Sequence, residues 1–422
     1  MIFFLGCSSS PGARPSDGSS SIPDEMPPVP TTDTGIPTDT YQGPDARVDQ
    51  PPDGGGRLDA GVGPDAGPDA GFPPPSGRPD VNINPTSRLA VFAGAFGSPE
   101  GILASVNLDP PGAPEEHART ISTDVVLRSP AENFYVIDRT GAAIDIYNPD
   151  LPDFELLGQT DAGAWSNPQD VVVAPDGTKA YVTRLEAQND SENDDDVFIV
   201  HPATGAFLGS IDLTSYTADD GDRLARAAQM VLVGSELFAN VQDLSGSFAA
   251  DTNGKVAVID TASDEVTGVI QLPCRNPADI TYSEILEKVF GTCTGVYEPD
   301  FTIDVTTPYG GVFTINPATR EAELFIDDAD LGGAVSEIRL ASAETGYVIT
   351  DFTKIASFNP ETGAVIGTAV YTSPGFFLPD FTLNTEGNLI IADPAAGLII
   401  GEEEPIVMKQ PPSSLTFLPD GE

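Results

Sequence analysis

The chain has 422 residues, of which 42 are Gly and 40 are Pro, a composition that suits turn-rich β-structure or disorder and argues against a helical protein. Its 65 acidic and 19 basic residues give a formal net charge of −46 at pH 7. This balance excludes nucleic acid as a partner, because duplex binding requires Lys and Arg to displace phosphate counterions.

The first seven residues end in a cysteine that follows an apolar run. Phe4-Leu5-Gly6-Cys7 resembles the end of a bacterial lipoprotein signal, in which the cysteine carries the lipid. It departs from that pattern at Phe4, a place usually held by Leu, and a complete signal also has a basic region and an apolar segment of roughly 7 to 15 residues. We expect the natural start to lie upstream of Met1; the alternative is an accidental match. The resemblance implies an exported protein with Cys7 as its membrane anchor, and Ser8 indicates the outer membrane.

Residues 8–85 consist largely of Pro, Gly, Ser, Thr, Asp and Ala, with a tandem repeat at 63–71. Such a composition cannot form a core, so we expect a disordered linker with an r.m.s. reach on the order of 50 Å. A linker of this reach would hold a folded domain clear of a membrane. The alternative is low-complexity sequence without a function. No apolar run approaches the roughly 20 residues of a membrane-spanning helix.

An all-β domain is predicted from about residue 86 to residue 422. It holds seven apolar β-runs that end in a turn residue, usually followed by Pro: Asp109, Asn148, His201, Asp260, Asn316, Asn359 and, more weakly, Glu404. Their spacings of 39 to 59 residues bracket the roughly 40 to 50 residues of a four-stranded propeller blade.

One complete blade is predicted between Asn167 and Leu213. Four short apolar runs at 170–174, 180–183, 197–200 and 207–213 are separated by turn residues. In the last run Phe207, Ile211 and Leu213 alternate with other residues, as in a strand with one buried face.

The ends of the domain complement each other. The runs Arg88–Phe96 and Gly101–Leu108 are predicted to be the second and third strands of the first blade, with no first strand ahead of them. Residues 413–421 copy the opening of the complete blade at 170–177. We expect this C-terminal strand to pair into the first blade, which would close the ring and remove two exposed sheet edges.

Two segments carry a family resemblance. Pro175-Asp-Gly-Thr-Lys-Ala-Tyr-Val-Thr183 and Lys255-Val-Ala-Val-Ile-Asp-Thr261 resemble the YVTN or YncE-like seven-bladed β-propeller repeats of bacterial surface and periplasmic proteins. That family is related in fold to the quinoprotein amine dehydrogenase β-chain-like propellers. The resemblance implies a seven-bladed propeller and specifies no chemistry.

The densest acidic run is Asn189–Asp196, an insertion in the complete blade. Crowded oxygen ligands suit Ca²⁺, and the candidate ligands are Asp190, Glu192, Asp194, Asp195 and Asp196. The spacing of an EF-hand is absent, so a solvated acidic loop is the favoured interpretation. We expect no other cofactor.

The remaining chemistry-bearing residues are few. Cys274 and Cys293 are predicted to form a disulfide, as an even pair in an exported chain does; the alternative is two buried thiols. His201 occupies a turn position and His117 a polar loop, so neither indicates a metal centre or a Ser-His-Asp triad. Trp165, Tyr181, Tyr297, Tyr309 and Phe376-Phe377 are predicted to pack in the core or between blades.

These observations favour a cell-envelope lipoprotein that displays its propeller as a non-enzymatic binding or scaffold module, with a protein or glycan ligand on one face. A calcium-assisted hydrolase or lactonase is the alternative, since some propeller enzymes hold Ca²⁺ with carboxylates in the central tunnel. Acidic side chains that converge in the tunnel would favour the enzyme. A redox quinoprotein would need cofactor ligands that the sequence does not show.

Overall fold

The computed structural model describes residues 87–419, apart from residues 96, 97, 99, 150–153, 219–221, 299–301, 385 and 402. Cys7, the predicted linker 8–85 and the last three residues lie outside the described residues.

The described chain folds into a seven-bladed, all-β propeller, as the repeat spacing predicted. Its strands, in chain order and grouped by blade, are β1 Arg88–Ala93, β2 Gly101–Asn107 and β3 Glu115–Ile121; β4 Val125–Arg128, β5 Phe134–Asp138, β6 Ala143–Tyr147 and β7 Leu156–Asp161; β8 Pro168–Val173, β9 Ala180–Arg184, β10 Val197–Val200 and β11 Phe207–Ile211; β12 Arg223–Leu224, β13 Ala227–Val233, β14 Glu236–Val241, β15 Leu244–Ser245, β16 Lys255–Asp260 and β17 Glu265–Gln271; β18 Pro277–Ser283, β19 Lys288–Cys293, β20 Gly311–Asn316 and β21 Glu321–Asp327; β22 Val335–Leu340, β23 Gly346–Thr350, β24 Lys354–Phe358 and β25 Val365–Thr372; β26 Asp380–Leu383, β27 Leu389–Asp393 and β28 Gly397–Ile400; and β29 Pro412–Phe417.

Helices are short and lie in the connections. A single helical turn, α1, covers Asp328–Leu331, and 3₁₀ turns cover Ala187–Asn189 and Thr214–Tyr216. Strands β12 and β15 form a separate two-stranded pair within the fourth blade's connections.

The C-terminal strand closes the ring. Strand β29 pairs antiparallel with β1, with Leu415 opposite Val91, and becomes the inner strand of blade 1. The sequence copy at 413–421 therefore identified the closure correctly, and both edges that an open ring would expose are paired.

The core lies between neighbouring blades. For example, Tyr135 and Ile146 of blade 2 pack against Val171, Val182 and other apolar residues of blade 3, all of them buried. Alternation along each strand sends side chains to both faces of a blade, so each blade buries both faces against its neighbours. His117 belongs to this buried set: it lies in strand β3 with only 6% of its surface exposed, not in a polar loop.

Strand direction divides the connections between two faces. The links from each outer strand to the next inner strand share one face with the links between second and third strands. We call this the loop face; it carries the long connections, among them 162–167 and 185–196. The opposite face carries the short hairpin turns.

Candidate functional site

Acidic and hydroxyl side chains of the inner strands join successive blades at the centre of the ring. Each of them accepts a main-chain N–H from the inner strand of the next blade. The bonds run from Met230 to Asp170 Oδ2 (2.9 Å), from Ile338 to Asp279 Oδ2 (2.9 Å), from Leu415 to Asp380 Oδ2 (2.8 Å) and from Leu127 to Ser414 Oγ (3.0 Å). Ser414 stands where the sequence copy aligned it with Asp170, and the two make the same bond.

Two arginines lie among these carboxyl groups. Arg339 donates to Asp279 Oδ2 at 2.7 Å, and its other terminal nitrogen lies 3.3 Å from Glu337 Oε2 and 3.5 Å from Asp380 Oδ1. Arg128 Nε contacts Asp170 Oδ1 at 2.6 Å. The acidic residues do converge at the centre, as the enzyme alternative requires, but they converge on two guanidinium groups.

Burial and charge shift the titration of this cluster. Burial and the nearby Glu337 raise the pKa of Asp279 to about 7, against the opposing charge of Arg339. Burial also raises the pKa of Asp380. Burial alone would lower the pKa of the Arg339 guanidinium, but its three carboxylate neighbours outweigh that effect and raise it. The cluster is therefore a charge-paired unit in which one carboxyl group can hold a proton near neutral pH.

The acidic loop surrounds a buried cation of its own. Arg184 is fully buried and donates to Asp190 Oδ2 at 2.7 Å and to the main-chain carbonyls of Asn193 and Asp195. Its guanidinium also stacks on the Phe198 ring, 3.8 Å from the centroid. The acidic loop therefore folds around the side chain of Arg184, which supplies a positive charge from the protein itself.

Most candidate calcium ligands have protein partners. Asp190 Oδ1 accepts from the Glu192 amide, Asp195 accepts from the Ser210 hydroxyl, and Asp196 Oδ2 accepts from the Leu213 amide. Glu192 and Asp194 point to solvent. Among the described residues, no three His, Cys, Asp or Glu side chains are grouped so as to hold a metal ion. A calcium site in this loop stays a prediction.

The other sequence candidates have structural roles. Cys274 and Cys293 form a disulfide with an S–S distance of 2.07 Å. His201 Nδ1 accepts from the amides of Ala203 and Thr204, as a turn residue does. His117 Nε2 lies 3.0 Å from Ser105 Oγ.

Two aromatic side chains differ from prediction. Tyr181 is buried, but Trp165 and Phe376 are 73% and 83% exposed. Both lie in links from an outer strand to the next inner strand, so both belong to the loop face. Trp165 has a positive φ of 63°, and its carbonyl accepts from Asn189 at the start of the acidic loop. The structure thus places the chain's single Trp beside its densest acidic segment.

No protein-family model matches this chain, and no curated protein matches it. Several solved structures are similar in fold. A putative 6-phosphogluconolactonase from Bacteroides uniformis has 17% identity and a TM-score of 0.52, covering 79% of this chain and 100% of that one. A periplasmic gluconolactonase from Pseudomonas aeruginosa has 15% identity and a TM-score of 0.51, covering 79% and 99%. Hydrazine synthase from Kuenenia stuttgartiensis has 14% identity and a TM-score of 0.51, covering 73% and 94%. At these identities the similarity establishes the propeller fold and no activity.

Proposed function

We propose that this chain is an exported, lipid-anchored protein whose propeller is a non-enzymatic binding module at the cell envelope. The observation that carries the proposal is the engagement of the central carboxyl groups by Arg128, Arg339 and the main-chain amides of neighbouring blades. A calcium-assisted hydrolase needs several of these oxygens for its metal. The described residues also include no helix long and apolar enough to cross a membrane.

The loop face around Trp165 supports a cationic polypeptide as the ligand. Exposed Glu192 and Asp194 lie in the loop that Asn189 joins to Trp165. Indole is the strongest cation–π partner among the side chains, and carboxylates beside it favour Lys or Arg over a neutral ligand.

The charge of the whole domain also supports a cationic ligand. Residues 1–85 hold 12 acidic and 4 basic residues, which leaves 53 acidic and 15 basic residues in 86–422. Every described Lys and Arg side chain contacts a carboxylate, a main-chain carbonyl or an aromatic ring. The unpaired surface charge is thus predominantly negative and attracts a cationic partner.

Intrinsic fluorescence tests the binding face directly, because Trp165 is the only tryptophan. Titration with a lysine-rich peptide should shift its emission, and the affinity should fall as salt is raised. The double variant Glu192→Gln/Asp194→Asn should weaken binding at least threefold. The control Glu344→Gln/Glu361→Gln removes two exposed carboxylates from hairpin turns on the opposite face and should leave the affinity unchanged. A neutral oligosaccharide that binds while the peptide does not would replace the proposed ligand class.

A calcium titration distinguishes the non-enzymatic binding module from the calcium-assisted hydrolase. We expect a thermal melting midpoint that moves by less than 2 °C with millimolar calcium, and no turnover in a screen of esters and lactones. A large calcium-dependent stabilisation together with turnover would contradict the binding module and support the hydrolase.

A further inference from the structure

Four large apolar side chains are exposed on the outer strands of blades 2 and 3. They are Leu156 and Leu157 of β7 and Phe207 and Leu208 of β11, with exposed fractions of 42% to 55%. The two strands are close together, since a Cβ added to Gly158 would lie 2.5 Å from the main chain of Thr204, just before β11 begins. We call these four residues the rim patch. Single exposed apolar side chains are common, but a group of large ones marks an interaction surface.

The outer edge of β11 is open for pairing. In the described chain β11 pairs with β10 on one side and with no strand on the other. Native edge strands are normally protected by charged side chains or proline. The outer strands β3 and β21 carry three Asp, Glu or Arg residues each, whereas the sequence Phe-Leu-Gly-Ser-Ile of β11 carries none. An extended polypeptide can therefore add to this edge as a fifth strand.

The acidic loop adjoins the same strand. The Ser210 hydroxyl of β11 donates to Asp195 Oδ2 and accepts from Asn193 Nδ2 at 3.2 Å. The exposed carboxylates Glu192 and Asp194 therefore stand near the end of β11 at the loop face, and the rim patch lies at its other end, beside the hairpin turns. The five residues of β11 span roughly 16 Å at about 3.3 Å per residue, so one extended segment can reach both.

The direction of β11 sets the order of residues in such a ligand. The ladders of this blade are antiparallel. An antiparallel partner would begin beside the acidic loop and end on the rim patch. Its basic residues would therefore precede its apolar residues in sequence.

We propose that the ligand of this face is an extended cationic segment followed by large apolar residues, and that it adds to β11 as a fifth strand. This rests on the proposed function, because the basic part of the ligand occupies the same face as Trp165. Its Lys or Arg side chains lie beside Glu192 and Asp194, and its apolar side chains cover the rim patch. The net charge of −46 disfavours a second copy of the chain on this edge, since two such chains repel each other.

Synthetic peptides test the order of residues. One carries a lysine-rich segment followed by Thr-Val-Thr-Leu, a second carries the same residues in reverse order, and the lysine-rich segment alone is the reference. By fluorescence anisotropy the first peptide should bind at least tenfold more tightly than the reference, because its apolar residues are buried, and at least threefold more tightly than the reversed peptide. On binding it should slow hydrogen exchange of amides in residues 207–211 at least fivefold, since pairing engages N–H groups that otherwise face solvent.

Leu208→Ser tests the rim patch. This side chain is exposed, so the variant should keep its melting midpoint and its affinity for the reference peptide. It should remove most of the affinity that Thr-Val-Thr-Leu adds. The matched control is Ile366→Ser: Ile366 is 60% exposed and precedes Gly367 in β25 as Leu208 precedes Gly209 in β11. The control should bind all three peptides like the unmodified protein.

The outcomes separate strand addition from the proposed function. If the lysine-rich segment binds and the apolar residues add no affinity, strand addition is overturned and the cationic ligand stands. Equal affinity of the two residue orders, or a gain that survives Leu208→Ser, would likewise overturn strand addition alone. Failure of all three peptides to bind would overturn both proposals.

Discussion

Arg184 shows how single buried residues organise this acidic protein. A guanidinium group without partners is very costly to bury, so the chain surrounds it with a carboxylate, two carbonyls and an aromatic ring. Gly163 belongs to the same arrangement, since a Cβ there would lie 2.0 Å from Asp190 Oδ2 and 2.5 Å from Arg184 Nη2. The loop's acidity thus supports its own fold as well as its surface.

Asp196 should make stability depend on pH. Burial raises its pKa to about 7 from an ordinary value of 3.8. The folded protein therefore favours the protonated carboxyl group. The stability that this group contributes is complete below about pH 4 and is lost as the pH rises through 7. Asp196→Asn keeps an oxygen for the Leu213 amide but does not ionise. We expect the variant to gain on the order of 2 kcal/mol relative to the unmodified protein between pH 5 and pH 8, measured by denaturant unfolding.

Asp176→Asn is the control for this prediction. Asp176 is exposed, and its pKa is lowered mainly by hydrogen bonds from the amide and hydroxyl of Thr178. Its carboxyl group therefore stays ionised across the same pH range. The substitution should leave the pH dependence of the unfolding free energy unchanged. Parallel curves for Asp196→Asn and the unmodified protein would contradict the assignment of Asp196.

Among the elements, the inner strands decide whether the ring stays closed. Strand β29 is joined to blade 1 by its ladder with β1, to blade 7 through the Leu415 amide and to blade 2 through Ser414. Strand β29 is thus fixed from three sides, although Ser414 and Leu127 are 287 residues apart in sequence.

Ser414→Ala should cost about 1–3 kcal/mol of unfolding free energy, because the buried Leu127 amide loses its acceptor. Ser413→Ala is the matched control: its hydroxyl makes one contact of 3.5 Å to the Phe92 carbonyl, and we expect a change below about 0.5 kcal/mol. Deletion of residues 413–422 should go further and lower solubility, since it exposes the edge of β1. Equal stability of the two Ser variants would refute this account of closure.

The disulfide connects two elements of blade 5. Cys274 lies in the link before β18, and Cys293 ends β19. We predict that unreduced, denatured protein shows no free thiol at either position. Replacing both by Ala should cost about 3 kcal/mol, as expected for a closed loop of this size. Full labelling of both cysteines without reductant would show that the bond does not form in solution.

At the scale of the whole molecule, Arg339 joins three blades. It contacts carboxyl groups from blades 5, 6 and 7, while Arg128 joins blades 2 and 3. The charged contacts at the centre of the ring therefore join the inner strands of blades 2, 3, 5, 6 and 7.

Arg339→Met should destabilise the protein by about 3 kcal/mol at pH 8, because it leaves three crowded carboxyl groups without their cation. Without the arginine these groups take up protons more readily, so the loss should shrink as the pH falls to 5. Arg320→Met removes a guanidinium that is 34% exposed and paired with Glu236 near the surface. It should cost less than about 1 kcal/mol at either pH. Denaturant unfolding at both pH values compares the two, and a pH-independent loss for Arg339→Met would contradict the network.

The sequence alone determined the blade number and the closing strand. Both depend on local features: apolar alternation, Pro-Asp-Gly turns and a repeated strand opening at 170–177 and 413–421. Such features act between neighbouring residues, so they can be read without knowing the ring. The repeated acid before an apolar residue at Asp170, Asp279 and Asp380 was a readable signal for the centre as well, but its partners were not.

Only the tertiary structure decided what the polar and aromatic residues do. Arg339 meets Asp279 and Asp380 because the ring brings inner strands together that are 41 to 60 residues apart. Burial of His117 and exposure of Trp165 likewise depend on which blade faces each side chain. Local sequence does not identify those neighbours, because packing across the whole propeller decides whether a charged group is buried or an aromatic side chain is exposed.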